Sequence, residues 1–371
     1  MAAIGDDKVN TAEKRVTITE VAKEAGVSKQ TVSRVINDRP DVASATRQRV
    51  LDVIHQLGYQ PNSVARSLIR GRSFTLGVIG YGLEYYGPSC TLVGIEQEAS
   101  NQGYTVLLNL IRQPESNSVK KLLGEMLSRQ VDGIIWAVPE IGKNRTWIRQ
   151  DADALSVPIV FLSMASQEDQ FVVAVDNHAG GLAATRHLIA LGCQNIGLIT
   201  GPLDWWEARQ RKQGWQEALM SVGLLKKGGL AVEGNWEASS GERGLERLLS
   251  RHPEIDGLFV CNDRMALGAF RAARRLGRCV PEDLPIVGFD DIPNAAYFYP
   301  SLTTVRQDMV ELGRRAVQEL GRAIEAHPNR DPIAPKTILL QPKLIVRESS
   351  VADVHMQAIQ TSQRHLERAY R

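Results

Sequence analysis

The stretch that most constrains this chain runs from Val16 to Arg72. Thr17-Ile-Thr-Glu20 has the form of a capping box, so a helix is predicted to begin there. Val21, Ala22 and Ala25 give it an apolar stripe. Gly26 ends it, because a left-handed residue after a helix costs glycine nothing. Only Val27 intervenes before Ser28, an N-cap residue opening a second helix whose apolar face carries Val32, Val35 and Ile36. Two short helices joined by a tight glycine turn make a helix-turn-helix unit. A third helix is predicted from an N-cap at Ser44, with Val50, Val53, Ile54 and Leu57 at i, i+3, i+4 and i+7 and a stop at Gly58. It supplies the core that two helices lack.

The second helix has a polar first turn, Lys29, Gln30 and Thr31, followed by Ser33, Arg34 and Asn37. Gln pairs bidentately with adenine and Lys or Arg with guanine, while Ser, Thr and Asn suit phosphates. An ordinary solvated face would use similar residues, but here the polar turn coincides with the glycine turn and the caps. Tyr59 to Leu68 follows, with Asn62 able to cap a helix of about two turns, too short to be stable alone in water. Such a segment orders only when something packs on it, which makes it a candidate switch.

These residues resemble the headpiece and hinge of the LacI/GalR (lactose-repressor) family of bacterial transcription regulators. The Ser-x-x-Thr-Val-Ser-Arg-Val run implies that Ser28 to Asn37 is the recognition helix, with Lys29, Gln30 and Arg34 reading bases and Thr31, Ser33 and Asn37 on the DNA backbone. The Pro-Asn-x-x-Ala-x-x-Leu run implies a hinge helix in which Asn62, Ala65 and Leu68 meet DNA. Leu68 would then be the wedge that enters the minor groove, where an apolar insertion kinks the duplex.

At 371 residues the chain exceeds one ordinary core, and 43% hydrophobic with 23% charged residues is the composition of a soluble globular protein. The net charge of +2 hides an asymmetry. Residues 15 to 72 hold 10 Lys and Arg against 5 Asp and Glu, so the rest of the chain sums to −3. A basic end on a near-neutral body is an electrostatic footprint of nucleic-acid binding. Cys90, Cys193, Cys261 and Cys279 form no C-x-x-C pair and no zinc-type His spacing accompanies them. They read as reduced cytosolic residues, with neither a metal site nor a disulfide frame. The polar residues 1–14 lack a signal-peptide core and read as a disordered arm, and no run reaches the length of a membrane span. A cytoplasmic location is expected.

From Phe74 the pattern changes to short apolar runs separated by helical stretches. The runs are Thr75–Gly80, Tyr104–Leu108, Gly133–Trp136 and Pro158–Leu162, then Asn195–Thr200, Ala231-Val232, Gly257–Val260 and Pro285–Phe289. Continuous apolar strands between helices argue for parallel sheets covered on both faces. The body is thus α/β, two doubly wound subdomains with a cleft between the carboxyl ends of their strands. The family resemblance extends to about Arg347, through Asp176-Asn177, Gly201-Pro202, Arg211 before Gly214-Trp215, Asn262-Asp263, Gly288 to Asp291 and Leu302 to Gln307. It implies a periplasmic-binding-protein-like body crossed three times by the chain, near Val175, Val305 and Lys336. The expected parts are a headpiece (15–60), a hinge (61–73) and a body (74–348) followed by a tail (349–371). Within the body, one subdomain takes about 74–175 and 305–336, the other about 176–304 and 337–348.

Several residues in the expected lining suit a polyhydroxylated ligand. Arg211 offers a planar fork, Asp290 can accept two hydroxyl hydrogen bonds, and Asn262 both donates and accepts. Trp236 can stack on a sugar face or sit in the core. Asn262 and Asp290 can alternatively cap the helices after their strands, and Arg211 can be a solvated helix residue. Asp291 reads as structural. Trp205-Trp206 suits the mouth of the site or an interface. Tyr81, with Tyr85 and Tyr86, invites the same argument, while Ser163 and Gln307 enter by resemblance, and Ser163 stands where the lactose repressor has an acid. Catalytic motifs are missing: Gly80-x-Gly82 has Tyr85 in place of a third glycine, and there is no G-K-[ST], G-x-S-x-G or H-E-x-x-H. No cofactor is implied.

In the tail, Met356, Ile359, Gln363, Leu366 and Tyr370 keep coiled-coil spacing over two heptads, fewer than a stable seam needs. The family resemblance then implies a homodimer, with a tetramer as the alternative. The expected function is a repressor of a pseudo-palindromic DNA operator, controlled by a small effector of saccharide type; a purine effector, or a sugar-binding protein with no DNA role, are the rivals.

Overall fold

The computed structural model describes residues 16–37, 39–59, 72–112, 119–142, 144–145, 147, 155–166, 169–226, 229–326 and 334–351. The chain forms two compact units, residues 1–73 and 74–371.

The first unit holds α1 (Ile18–Glu24), α2 (Lys29–Ile36) and α3 (Ser44–Leu57). Thr17 N donates to Glu20 Oε2 at 2.7 Å and Glu20 N to Thr17 Oγ1 at 3.4 Å, completing the capping box. Gly26 turns at φ +63°, and Ser28 caps α2 through Thr31 N at 3.1 Å. The expected cap at Ser44 is corrected: Ala43 holds that place, with no side-chain hydrogen bond. The helix starts one residue earlier because the Ala43 carbonyl already accepts from Arg47 N at 2.9 Å. Val21, Ala22, Ala25, Val32, Val35, Val50 and Val53 form the core. The hinge residues Asn62, Ala65 and Leu68 lie outside the described residues, as does the coiled-coil pattern of 352–371.

The second unit contains two six-stranded sheets. The first is wholly parallel and places β1 (Thr75–Gly80) between β2 (Thr105–Leu110) and β3 (Gly133–Ala137). It continues through β4 (Ile159–Leu162) and β5 (Phe171–Val175) to β11 (Thr337–Leu340). The second runs β7 (Ala231–Glu233), β6 (Ile196–Thr200), β8 (Gly257–Val260), β9 (Ile286–Asp290), β10 (Thr303–Arg306) and β12 (Lys343–Ile345). Only β12 is antiparallel there. The central strands β1, β3, β6 and β8 are buried almost throughout, which is why they read as unbroken apolar runs. The helices are α4 (Tyr86–Asn101), α5 (Val119–Ser128), α6 (Asn177–Ala190), α7 (Trp206–Ser221), α8 (Ala238–Arg251), α9 (Asp263–Arg275) and α10 (Met309–Ala326).

The chain passes from the first sheet to the second after β5, returns after β10, and crosses again between β11 and β12. This moves the third crossing, expected near Lys336, to Gln341-Pro342. Thr337 to Leu340 pair with Val172 to Val175 and so belong to the first subdomain. The body also extends past residue 348: buried Ser349 accepts from Thr303 N and donates to Ile286 O, at 2.8 and 2.7 Å.

α6 and α7 pack at a glycine contact that sets the position of the cleft wall. A Cβ on Gly181 would collide with the Arg211 carbonyl, and one on Gly214 with the His178 carbonyl. Gly181→Ala should therefore push α7 outward, costing about 1–3 kcal/mol of stability. A chemical-denaturation midpoint equal to wild type would show that the two helices part without strain.

Candidate functional site

A cavity of about 1040 Å³, its solvent-open part included, lies between the carboxyl ends of the two sheets. The first subdomain contributes Gly80 and Ala137, the last residues of β1 and β3, and Ser163 after β4. The second contributes Asp290, the last residue of β9, and Asn262 and Gln307 after β8 and β10. Tyr85, Tyr86, Trp205 and Trp236 make aromatic walls. Ser163, Trp236 and Asp290 have positive φ, 53°, 70° and 114°. Backbone conformations of this kind cost energy and gather where the surroundings hold a functional group in place.

Arg211 is only 5% exposed, so its permanent charge must be matched inside the protein. Its Nε donates to Asn177 Oδ1 at 2.8 Å, and its Nη1 donates to Cys261 O and lies 3.8 Å from Asp290 Oδ1. The guanidinium centre sits 3.8 Å from the Phe289 ring centroid. Arg211 is thus no solvated helix residue. Gln307 Nε2 donates to Asp290 Oδ1 at 2.6 Å. Burial pushes the Asp290 carboxyl up to about 6, against the pull of Arg211 and Gln307. Asp290 caps no helix. Asn262 does: its Oδ1 accepts from Met265 N at 2.8 Å, and its Nδ2 donates to Trp236 O at 3.0 Å. Asp291 is structural, bound by Arg306 and Arg347 at 2.6 and 2.7 Å.

The Trp205-Trp206 pair divides its labour. Trp205 lines the cavity and meets Trp236 edge-on at 5.7 Å between ring centroids. Trp206 packs against the core of the first subdomain, and its N–H donates to Glu140 O at 2.9 Å. Tyr81 is a correction, for it does not line the cavity. Its ring packs on Trp205 at 6.1 Å and on the first sheet's core, while Tyr85 and Tyr86 take the wall.

Two residues that sequence reading missed complete the site. Asn177 appears there only as a family mark, yet it orients Arg211. Glu207 lines the cavity with Oε2 buried and unpartnered, and burial pushes its carboxyl up to about 7. The signal was present, because Glu207 and Arg211 stand at i and i+4 on one helix face.

In the first unit, α2 exposes Lys29, Gln30 and Arg34, with Thr31 and Ser33 half-buried. Ser28 Oγ and Thr31 Oγ1 share a hydrogen bond of 2.9 Å. Arg34 lies 3.5 Å from Asp41, and Asn37 Nδ2 donates back to Ser33 O at 2.8 Å, finishing the helix. The three long side chains are therefore the ones standing free of the core on a single polar face.

Residues 17–62 match the description "Bacterial regulatory proteins, lacI family", and residues 185–350 match "Periplasmic binding protein-like domain". The HTH-type transcriptional repressor PurR of Haemophilus influenzae (strain PittEE) is 36% identical over 338 residues, covering 90% of this chain and 98% of that protein. The chain belongs to the lacI family. It is a DNA-binding transcriptional repressor with a ligand-binding body of the periplasmic type. The lac repressor dimer bound to operator and the anti-inducer ONPF matches this lacI-family chain with a TM-score of 0.81 at 32% identity, over 91% of this chain and all of that one. The transcriptional regulator CelR–cellobiose complex matches with a TM-score of 0.67 at 31% identity over the same shares. Among the described residues of this repressor no helix can cross a membrane, and no cluster of His, Cys, Asp and Glu could hold a metal ion.

Glu207→Gln tests the carboxylate without any ligand. A folded-state value near 7 against an ordinary 4.5 means that ionisation opposes folding, with the penalty growing between those pH values and constant above. The variant should therefore gain stability over wild type as pH rises from 5 to 7, reaching about 1–3 kcal/mol. A melting-temperature difference that stays flat with pH would refute it.

Proposed function

We propose that this repressor acts in the cytoplasm as a homodimer, and that its hold on a pseudo-palindromic operator is set by a saccharide-class effector bound in the cavity. The observation that carries the effector assignment is the linked Arg211–Asp290–Gln307 group beneath the Tyr85, Tyr86, Trp205 and Trp236 walls. Hydroxyls need donors and acceptors side by side, and the ring carbons of a sugar need apolar faces. The likeness to a regulator solved with cellobiose supports this. The likeness to PurR favours a second reading, a purine.

Each headpiece would read one half-site, so operator symmetry would mirror protein symmetry. A ligand that binds one arrangement of the subdomains better than the other shifts the balance between them, and a coupling of about 1–3 kcal/mol suffices for regulation. The first subdomain would pass the change to the hinge at 61–73, where Asn62, Ala65 and Leu68 are the proposed DNA contacts.

Calorimetry of the full-length protein against ribose, cellobiose, lactose, sugar phosphates, purines and nucleosides identifies the class. A purine that binds where no saccharide does would leave the repressor standing and remove the sugar. Arg211→Ala should leave a buried ligand oxygen unpaired, at about 1–3 kcal/mol of effector binding, and Asp290→Asn should weaken the acceptor. Both variants should bind operator as wild type does and stop responding to effector in a gel shift; a retained response would take these residues out of the effector site.

At the DNA, Gln30→Ala should cost about 1–3 kcal/mol and relax preference at one base pair. A uniform loss across all sequences would make Gln30 a backbone contact instead.

A further inference from the structure

Two polar atoms on cavity-lining residues are buried without a hydrogen-bond partner, Glu207 Oε2 and Trp236 Nε1. Trp236 is 6% exposed. The charged groups around Glu207 are already engaged. On its own helix, Arg209 binds Glu140 at 3.2 Å, while Arg211 is held by Asn177, Cys261 O and Asp290. Glu140, on the loop after β3, is also held by Arg145 at 2.9 Å. Across the cavity, Arg264 lies 3.2 Å from Glu237. Among the described residues no cation forms an ion pair with Glu207, so its Oε2 is left for what enters the cavity.

The other orphan atom decides the direction of the hydrogen bond. Trp236 Nε1 can only donate, and therefore serves an acceptor on the ligand. The complementary need is an acceptor for the ligand's donors, which a carboxylate supplies. A hydroxyl-bearing ligand offers both atoms at once.

We propose that Glu207 is a specificity-determining acceptor for a hydroxyl of the effector, and that binding there displaces a proton, so that affinity rises with pH across neutrality. This deepens the saccharide reading and rests on it. Burial raises the Glu207 carboxyl to about 7, with a backbone hydrogen bond, Arg211 and Arg209 lowering it and Glu140 raising it. A ligand O–H donating to Oε2 favours the ionised form. The carboxyl O–H bond breaks, its proton leaves for solvent, and the hydroxyl keeps its own hydrogen as it donates to the carboxylate. Below that value each ligand must expel a proton, and affinity falls by up to about tenfold per pH unit. A ligand acceptor facing a protonated Glu207 would give the opposite sign. Burial raises the Asp290 carboxyl as well, so the Glu207→Gln variant is what assigns the pH dependence to Glu207.

The test is calorimetry of the full-length protein with ribose, cellobiose and lactose at pH 6, 7 and 8, each in two buffers of different ionisation enthalpy. A binding saccharide should be held about tenfold more tightly at pH 8 than at pH 6, releasing close to one proton at pH 6. Glu207→Gln should show no rise in affinity between pH 6 and pH 8, and operator binding in the same samples reports that it is folded. Affinity independent of pH in wild type, or a rise that survives in Glu207→Gln, overturns the inference while leaving the saccharide reading intact. Binding of none of the three sugars at any pH overturns the saccharide reading and this inference together.

Discussion

A single buried cation organises the ligand-binding body. The Arg211 guanidinium cannot shed its proton and is 5% exposed, so the fold has to bring partners to it. They come from three places: Asn177 at the start of α6, the Cys261 carbonyl at the end of β8, and Asp290 with the Phe289 ring at the end of β9. One charge therefore ties two strands and two helices together. Its own helix reaches that position because Gly181 and Gly214 let α6 and α7 meet backbone to backbone. The Asp290 carboxyl is shaped by the same arrangement, raised by burial and pulled back by the arginine.

At the mouth of the cavity the two subdomains meet through backbone, ionic and aromatic contacts. Ile141 and Trp205 form an isolated bridge, Trp206 N donates to Glu140 O at 2.9 Å, and Glu140 pairs with Arg209. Polar contacts of this kind are readily exchanged for water, since a half-exposed ion pair contributes little. Burying the Trp206 ring against the opposite core contributes more. Together with three chain crossings, this leaves the subdomains joined by short connections, the arrangement that hinge closure requires.

Reading the sequence succeeded where the signal was local. The capping box at Thr17, the glycine turn at Gly26 and the cap at Ser28 depend on residues within four positions of one another, and all three form as expected. It failed at Ser44, where a backbone carbonyl one residue earlier took the cap's place. Eight strands were readable as short apolar runs. β5, β10, β11 and β12 were not read as strands; β11 and β12 are edge strands of three or four residues, chosen by the neighbours they pair with, and the shift of the third crossing follows from that. Of the residues expected at the effector, Arg211, Asp290, Trp236 and Asn262 line the cavity, as does Gln307, which entered by resemblance alone, and Tyr81 does not.

What the sequence determined by itself was therefore the three-helix headpiece, the doubly wound character of the body, the absence of the catalytic motifs tested, and the side chains suited to a hydroxylated ligand. Caps, periods and residue types are properties of neighbours along the chain. Only the tertiary structure decided that Arg211 is committed to Asn177, that Trp205 and Trp206 face different subdomains, and that one Glu207 oxygen, Oε2, is buried without a hydrogen-bond partner. Those facts depend on which groups from distant strands arrive first at the same few cubic ångströms, and burial and charge are settled only there.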